Sequence, residues 1–206
     1  MRYGPVEIAA PSRLHFGLFS WGNPGRRFGG VGVMIEPPGL RILAEPLSEG
    51  AETASDLLEF VPSQQDALGN RRLVAAPRPP VVTESEIAAT RARIADFRQR
   101  WAAFHQANMG PRLLWKVLET PPRHAGLGSG TQWGLSVAAA LDALSQRSPH
   151  FRYLCPQETS DSAVPPMRAD ENAARLQWVR EAAASVGRGA RSAVGAYGFA
   201  LGGLII

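Results

Sequence analysis

Residues 121–144 read PPRHAGLGSGTQWGLSVAAALDAL, and this stretch decides the fold. Two prolines precede three glycines, Gly126, Gly128 and Gly130. Ser129 and Thr131 are set among them, and a long apolar run follows. The spacing predicts a strand over 112–119, then a tight loop, then a helix over 131–146 that is apolar nearly all round and so central. A loop that opens a helix in this way presents unpaired backbone amides to an anion. The helix dipole adds about half a positive charge at that point. Glycines let the backbone approach a ligand closely. The hydroxyls of Ser129 and Thr131 can donate to phosphate oxygens, and one of them could ligand magnesium.

The better-known glycine loops fail on spacing. A Walker loop requires a lysine after its last glycine, and this loop has none. The dinucleotide fingerprint would place a glycine at Thr131, and a nucleophile elbow would place one at Leu127. The bland reading is a tight turn feeding a buried helix. Three glycines and two hydroxyls exceed what a turn needs, so phosphate binding is the expectation.

Around this centre, 6–47 reads as strands, with a hairpin turn expected at Pro37-Pro38-Gly39. Residues 48–82 carry prolines at 77, 79 and 80 and read as a loop insertion, as do 148–168. Thr83 and Glu86 make a capping box for a helix whose apolar face is Ile94, Phe97, Trp101 and Phe104, ended by Gly110 and Pro111. A further helix is expected over 170–186, and Leu204-Ile205-Ile206 reads as an apolar strand. The order of elements is that of an α+β fold.

The loop resembles the phosphate loop of the GHMP kinase superfamily, Pro-x-x-x-Gly-Leu-Gly-Ser-Ser-Ala, with Gly130-Thr131 in place of Ser-Ala. Gly-Leu-Gly-Ser-Gly-Thr-Gln is similar to one branch, the β-ribofuranosylaminobenzene 5′-phosphate synthases. PSRLHFGLFSWGNPGRRFGGVGVMIEPP near the start and GRGARSAVGAYGFALGGLII at the end resemble the same branch, in the same order. Residues 48–110 carry little of the likeness.

The resemblance implies the superfamily's N-terminal lobe over 1–206, a ribosomal-protein-like two-layer sheet and helices, with the phosphate loop at 121–131 and the C-terminal lobe largely absent. On that reading the chain alone would bind diphosphate weakly and turn over slowly, and its uncovered apolar surface would favour self-association. The implied reaction joins phosphoribosyl diphosphate to 4-hydroxybenzoate or 4-aminobenzoate, with loss of CO2 and diphosphate, toward tetrahydromethanopterin-type cofactors. It consumes no ATP, and magnesium is expected with the diphosphate.

The resemblance also implies the site. Phosphate would meet His124, Gly126, Leu127, Gly128, Ser129, Gly130 and Thr131, with Ser129 also a magnesium ligand. Arg13 and His15, two apart on a strand and so on one face, would be catalytic. Ser12, Gly30, Arg191 and Ser192 would bind substrate. Each has a structural alternative: a hydrogen-bonded histidine, a β-bulge at the glycines, a helix C-cap at Gly187. Two rival functions stay open, an ATP-dependent small-molecule kinase and a non-catalytic fragment of either enzyme. The departure at Gly130-Thr131 and the want of an obvious lysine–aspartate pair weigh against the kinase.

Bulk properties agree with a small anionic substrate. The chain has 206 residues, is 45% hydrophobic and carries a net charge of +4. Lys116 is the single lysine among 22 basic residues. Arginine suits phosphate and carboxylate, but the arginines are scattered, so no nucleic-acid stripe is formed. One cysteine, Cys155, excludes an internal disulfide. No secretory or membrane segment is read, so a cytoplasmic protein is the expectation, with a homodimer as one form it could take.

Overall fold

The structure, a computed structural model, describes residues 4–19, 29–47, 55–61, 63–65, 71–73, 82–122, 125–147, 169–189 and 193–206. Two long strands, β1 (Val6–Phe19) and β2 (Gly29–Pro46), run antiparallel. Beyond β2 lies β6 (Leu113–Glu119), and β3 (Leu57–Phe60) pairs parallel to β6. The short β4 (Ser63–Gln65) and β5 (Arg71–Leu73) form a separate ribbon. The sheet order is β1-β2-β6-β3, and the two-residue β7 (Leu204–Ile205) pairs with β2 at Gly32 and Val33.

The expected hairpin at Pro37-Pro38 does not form. Residues 29–46 are one strand, and Glu36, Pro37 and Pro38 protrude from it. Pro11 pairs with Gly39 and Ser12 with Ile35, so three residues of β2 have no partner on β1. Proline has no amide to give a sheet ladder, and a bulge accommodates the pair without ending the strand. On β1, Ile8 and Ala10 belong to the core, whereas beyond the bulge Leu14 and Phe16 are exposed. There Arg13 and His15 turn toward Gly32 and Gly30 of β2.

Among the described residues four helices cover the sheet: α1 (Glu84–His105), α2 (Ser129–Leu144), α3 (Ala169–Ser185) and α4 (Val194–Leu201). The capping box of α1 is present, with Thr83 and Glu86 bonding reciprocally at 2.9 and 3.2 Å. α1 ends at a left-handed Gln106, before Gly110. Ile94, Phe97 and Trp101 are buried, but Phe104 is half exposed. α2 is buried from Gln132 to Asp142 and at Leu144, as its composition requires, while its first turn is half-buried. Its Asp142 accepts from the indole N–H groups of Trp101 at 2.9 Å and Trp178 at 2.8 Å, tying α1, α2 and α3 together. Burial pushes the Asp142 carboxyl up, and the two indole bonds partly offset this.

Four elements, β3, β4, β5 and α4, escaped sequence reading. Residues 48–82 are not all loop, because β3 within them extends the main sheet. Asp56, just before β3, pairs with Arg98 of α1 and accepts from Leu113 N at 3.0 Å and Trp115 Nε1 at 2.9 Å. The segment after α3 forms the helix α4 before the strand at β7. Residues 148–168 and Cys155 lie outside the described residues. Among those described, no helix is long and apolar enough to cross a membrane.

Candidate anion-binding site

The loop between β6 and α2 takes its shape from two left-handed glycines, Gly126 (φ 71°) and Gly128 (φ 70°). Gly128 is the N-cap of α2 and offers no side chain to cap it, and no acidic residue stands in the first turn. Thr131 N bonds to Gly128 O at 3.1 Å. The amides of Ser129 and Gly130 belong to the turn whose donors lack intrahelical partners. The helix therefore opens uncapped, with its positive end exposed.

Two arginines border this opening. The backbone amide of Arg13 on β1 donates to Leu127 O at 3.0 Å, and its side chain lies along Gly128. Burial pushes the Arg13 pKa down from the ordinary arginine value, and its Nε is buried without a hydrogen-bond partner among the described residues. Arg188 comes from the other side, placed by the end of α3. Gly187 N bonds to Ala184 O at 3.0 Å and Arg188 N to Ala183 O at 2.7 Å, with Gly187 left-handed at φ 67°. That is the Schellman pattern of helix termination. The Arg188 guanidinium lies 5.2 Å over the Phe97 ring. Its stem passes Gly134 and its tip nears Gly130, one helical turn apart on α2, and its Nε too is buried without a partner among the described residues.

Arg13, Arg188 and the loop from Ala125 to Thr131 line one cleft of about 420 Å³, together with Pro122. The described lining holds two guanidinium groups, two hydroxyls, an uncapped helix end and no carboxylate. Such a set of donors suits a multiply charged oxyanion.

Of the expected site residues, the structure brings Arg13, Gly126, Leu127, Gly128, Ser129, Gly130 and Thr131 together. His124, Arg191 and Ser192 lie outside the described residues. His15 does not line the cleft. It stands farther along β1, against Gly30, with its pKa lowered by burial and then by the Arg13 charge. Ser12 does not line it either; the side chain is buried, and its Oγ has no partner. Arg188 is the residue that sequence reading passed over within its glycine–arginine run. The helix C-cap signal at Gly187 fixes its position. For magnesium, no cluster of three or more His, Cys, Asp or Glu exists among the described residues. Ser129 and Thr131 without a carboxylate do not by themselves make a magnesium site.

A curated relative, β-ribofuranosylphenol 5′-phosphate synthase from Methanocaldococcus jannaschii, is 29% identical over 140 residues. The match covers 66% of this chain and 35% of that protein. Among solved structures, mevalonate pyrophosphate decarboxylase from Streptococcus pyogenes superposes with a TM-score of 0.50 at 10% identity, covering 99% of this chain and 48% of that one. The chain is similar to that synthase in sequence and has the GHMP kinase superfamily fold. Mevalonate kinase from methicillin-resistant Staphylococcus aureus gives a TM-score of 0.44 at 13% identity over 93% of this chain and 48% of its own. No protein-family model matches. The chain thus spans about half, or less, of the proteins it matches, which is consistent with a partial N-terminal lobe.

Proposed function

We propose that the cleft binds the diphosphate of phosphoribosyl diphosphate, and that the protein serves a β-ribofuranosylbenzene 5′-phosphate synthase reaction. The observation that carries this is the convergence of an uncapped α2 N-terminus with Arg13 and Arg188, neither ion-paired among the described residues, in a cleft whose described lining has no carboxylate. In that reaction the bond from the ribose anomeric carbon to diphosphate breaks, and positive charge develops on the sugar. Negative charge gathers on the leaving group, where backbone amides and guanidinium groups stabilise it. The ring carbon bearing the carboxylate attacks the anomeric carbon. Loss of CO2 then returns the electron pair to the ring and restores aromaticity.

The phenol in the name of the Methanocaldococcus relative favours 4-hydroxybenzoate over 4-aminobenzoate. Magnesium enters this proposal as an ion carried in on the diphosphate, with the Ser129 hydroxyl in reach of the loop. An ATP-dependent kinase would have to activate a substrate hydroxyl, and the described lining offers no carboxylate to act as base.

Calorimetry with pyrophosphate and with phosphoribosyl diphosphate tests the site. Binding of both, with CO2 released from 4-hydroxybenzoate and no ATP turnover against an alcohol, supports the synthase reading. ATP turnover without CO2 release would replace it with the kinase.

A further inference from the structure

Arg13 lies in a slot walled by glycines from three elements. A β-carbon on Gly32 of β2 would lie 3.6 Å from Arg13 Cγ. On Gly128 it would lie 3.0 Å from Nε and 3.2 Å from Cζ and Nη2, and on Gly195 of α4 it would lie 2.8 Å from Nη1. Two of these glycines have other reasons to be glycine. Gly128 is left-handed. A side chain on Gly32 would strike the Leu14 carbonyl oxygen at 2.8 Å and Val194 Cγ1 at 2.7 Å, so sheet and helix packing already exclude it.

Gly195 has no such reason in its backbone. It lies in the first turn of α4 and is not among the left-handed residues. Alanine is the better helix former at such a position. After the guanidinium, the nearest atoms to an added β-carbon are those of the Thr131 side chain, at 3.2 and 3.5 Å. Arg13, meanwhile, has no carboxylate among the described residues to hold its charge in place, so packing must do so.

We propose that Gly195 is a positioning residue. By lacking a side chain it admits the Arg13 guanidinium between α4 and the phosphate loop and holds that charge at the mouth of α2. The role of this charge in binding rests on the anion-site reading above. The slot itself is a matter of packing and can be tested without a ligand.

The test uses Gly195→Ala, Arg13→Ala, the double variant and Gly198→Ala. The last disturbs α4 elsewhere, because its β-carbon would strike Met34 Sδ. Pyrophosphate binding to Gly195→Ala should weaken by about tenfold, the loss of one charge-assisted contact. Adding Gly195→Ala to Arg13→Ala should change affinity by less than about threefold, because two changes acting through one contact do not add. If Gly195→Ala lowers the melting temperature or prevents folding, the double variant should recover that of Arg13→Ala, since the obstructing guanidinium is gone. In the ligand-free protein the Arg13 Nε–H resonance should move in Gly195→Ala and stay in Gly198→Ala. An unmoved resonance, losses that add, or, where Gly195→Ala is destabilised, a double variant no better folded than it would each overturn the proposal. A wild-type protein that ignores pyrophosphate would overturn the anion reading instead, and the resonance would then decide the slot alone.

Discussion

The amide of Arg13 donates to the carbonyl of Leu127 at 3.0 Å, so the edge strand β1 and the phosphate loop are joined through their backbones. This bond holds an arginine of β1 beside a loop more than a hundred residues away in sequence. The side chain then has one route, along Gly128 toward α4.

Arg13→Ala and Arg188→Ala should each weaken pyrophosphate binding by about tenfold or more, since a charge-assisted hydrogen bond contributes about 1.5–3 kcal/mol. Neither arginine is ion-paired with another described residue, so neither truncation strands a buried carboxylate there. Thermal unfolding should therefore show both variants folded. Calorimetry in which both bind as tightly as wild type would remove the cleft from consideration as an anion site.

His15 gives a reading of the same charge from outside the cleft. Burial, and then Arg13, hold its pKa below the ordinary histidine value. An anion on Arg13 offsets that positive charge, so the His15 pKa should rise on binding and the complex should take up a proton. A folded-state pKa below the unfolded one means that the native state binds fewer protons. This group therefore withdraws stability as pH falls below about 6.5, and bound anion should lessen that loss. Histidine proton shifts followed against pH, with and without saturating pyrophosphate, check the direction. A midpoint that stays still or falls places the anion away from Arg13.

The loop and its helix were legible because their signals are local: two turn glycines, a hydroxyl pair and an apolar run fall within 24 residues. The capping box at Thr83 and Glu86 is local in the same sense. What escaped depends on distant partners. β3 is recognised as a strand only beside β6, and Asp56 matters only because Arg98 and Trp115 meet it. At Pro37-Pro38-Gly39 the turn residues point to a hairpin, but the continuous pairing of β1 on both sides makes the stretch a bulge in one strand. Arg188 lay in a run already marked. The C-cap signal at Gly187 places Arg188 at the end of α3, but the Gly130–Gly134 groove that receives its side chain belongs to α2 and is not visible in the run.

The outward face of the sheet predicts association. Leu14 of β1 pairs with Val33 of β2, and Val33 pairs with Leu204 of β7, so the three side chains form a row across the strands. Phe16 is 63% exposed, Leu204 61% and Ile206 91%. Contiguous apolar surface of this kind drives contact between copies. Sedimentation should show concentration-dependent self-association of the chain. Phe16→Ser with Leu204→Ser should shift it toward monomer and leave pyrophosphate affinity unchanged, because neither residue lines the cleft. A wild-type chain that stays monomeric at high concentration would show that this face does not pair with itself.

The two left-handed loop glycines separate backbone strain from crowding at the site. A β-carbon on Gly126 would meet nothing within 4 Å, whereas on Gly128 it would meet the Arg13 guanidinium at 3.0–3.2 Å. Both residues hold φ near +70°. Alanine in that region costs about 1–2 kcal/mol of strain at either position. Gly126→Ala and Gly128→Ala should therefore lose similar stability in urea. Their pyrophosphate affinities should differ, with Gly128→Ala the weaker by about tenfold, because it alone displaces a charge-assisted contact. Equal affinities in the two variants would mean that the loop's shape governs binding and that Arg13 contributes nothing through Gly128. A lower stability for Gly128→Ala, with equal affinities, would mark the Arg13 contact as packing alone.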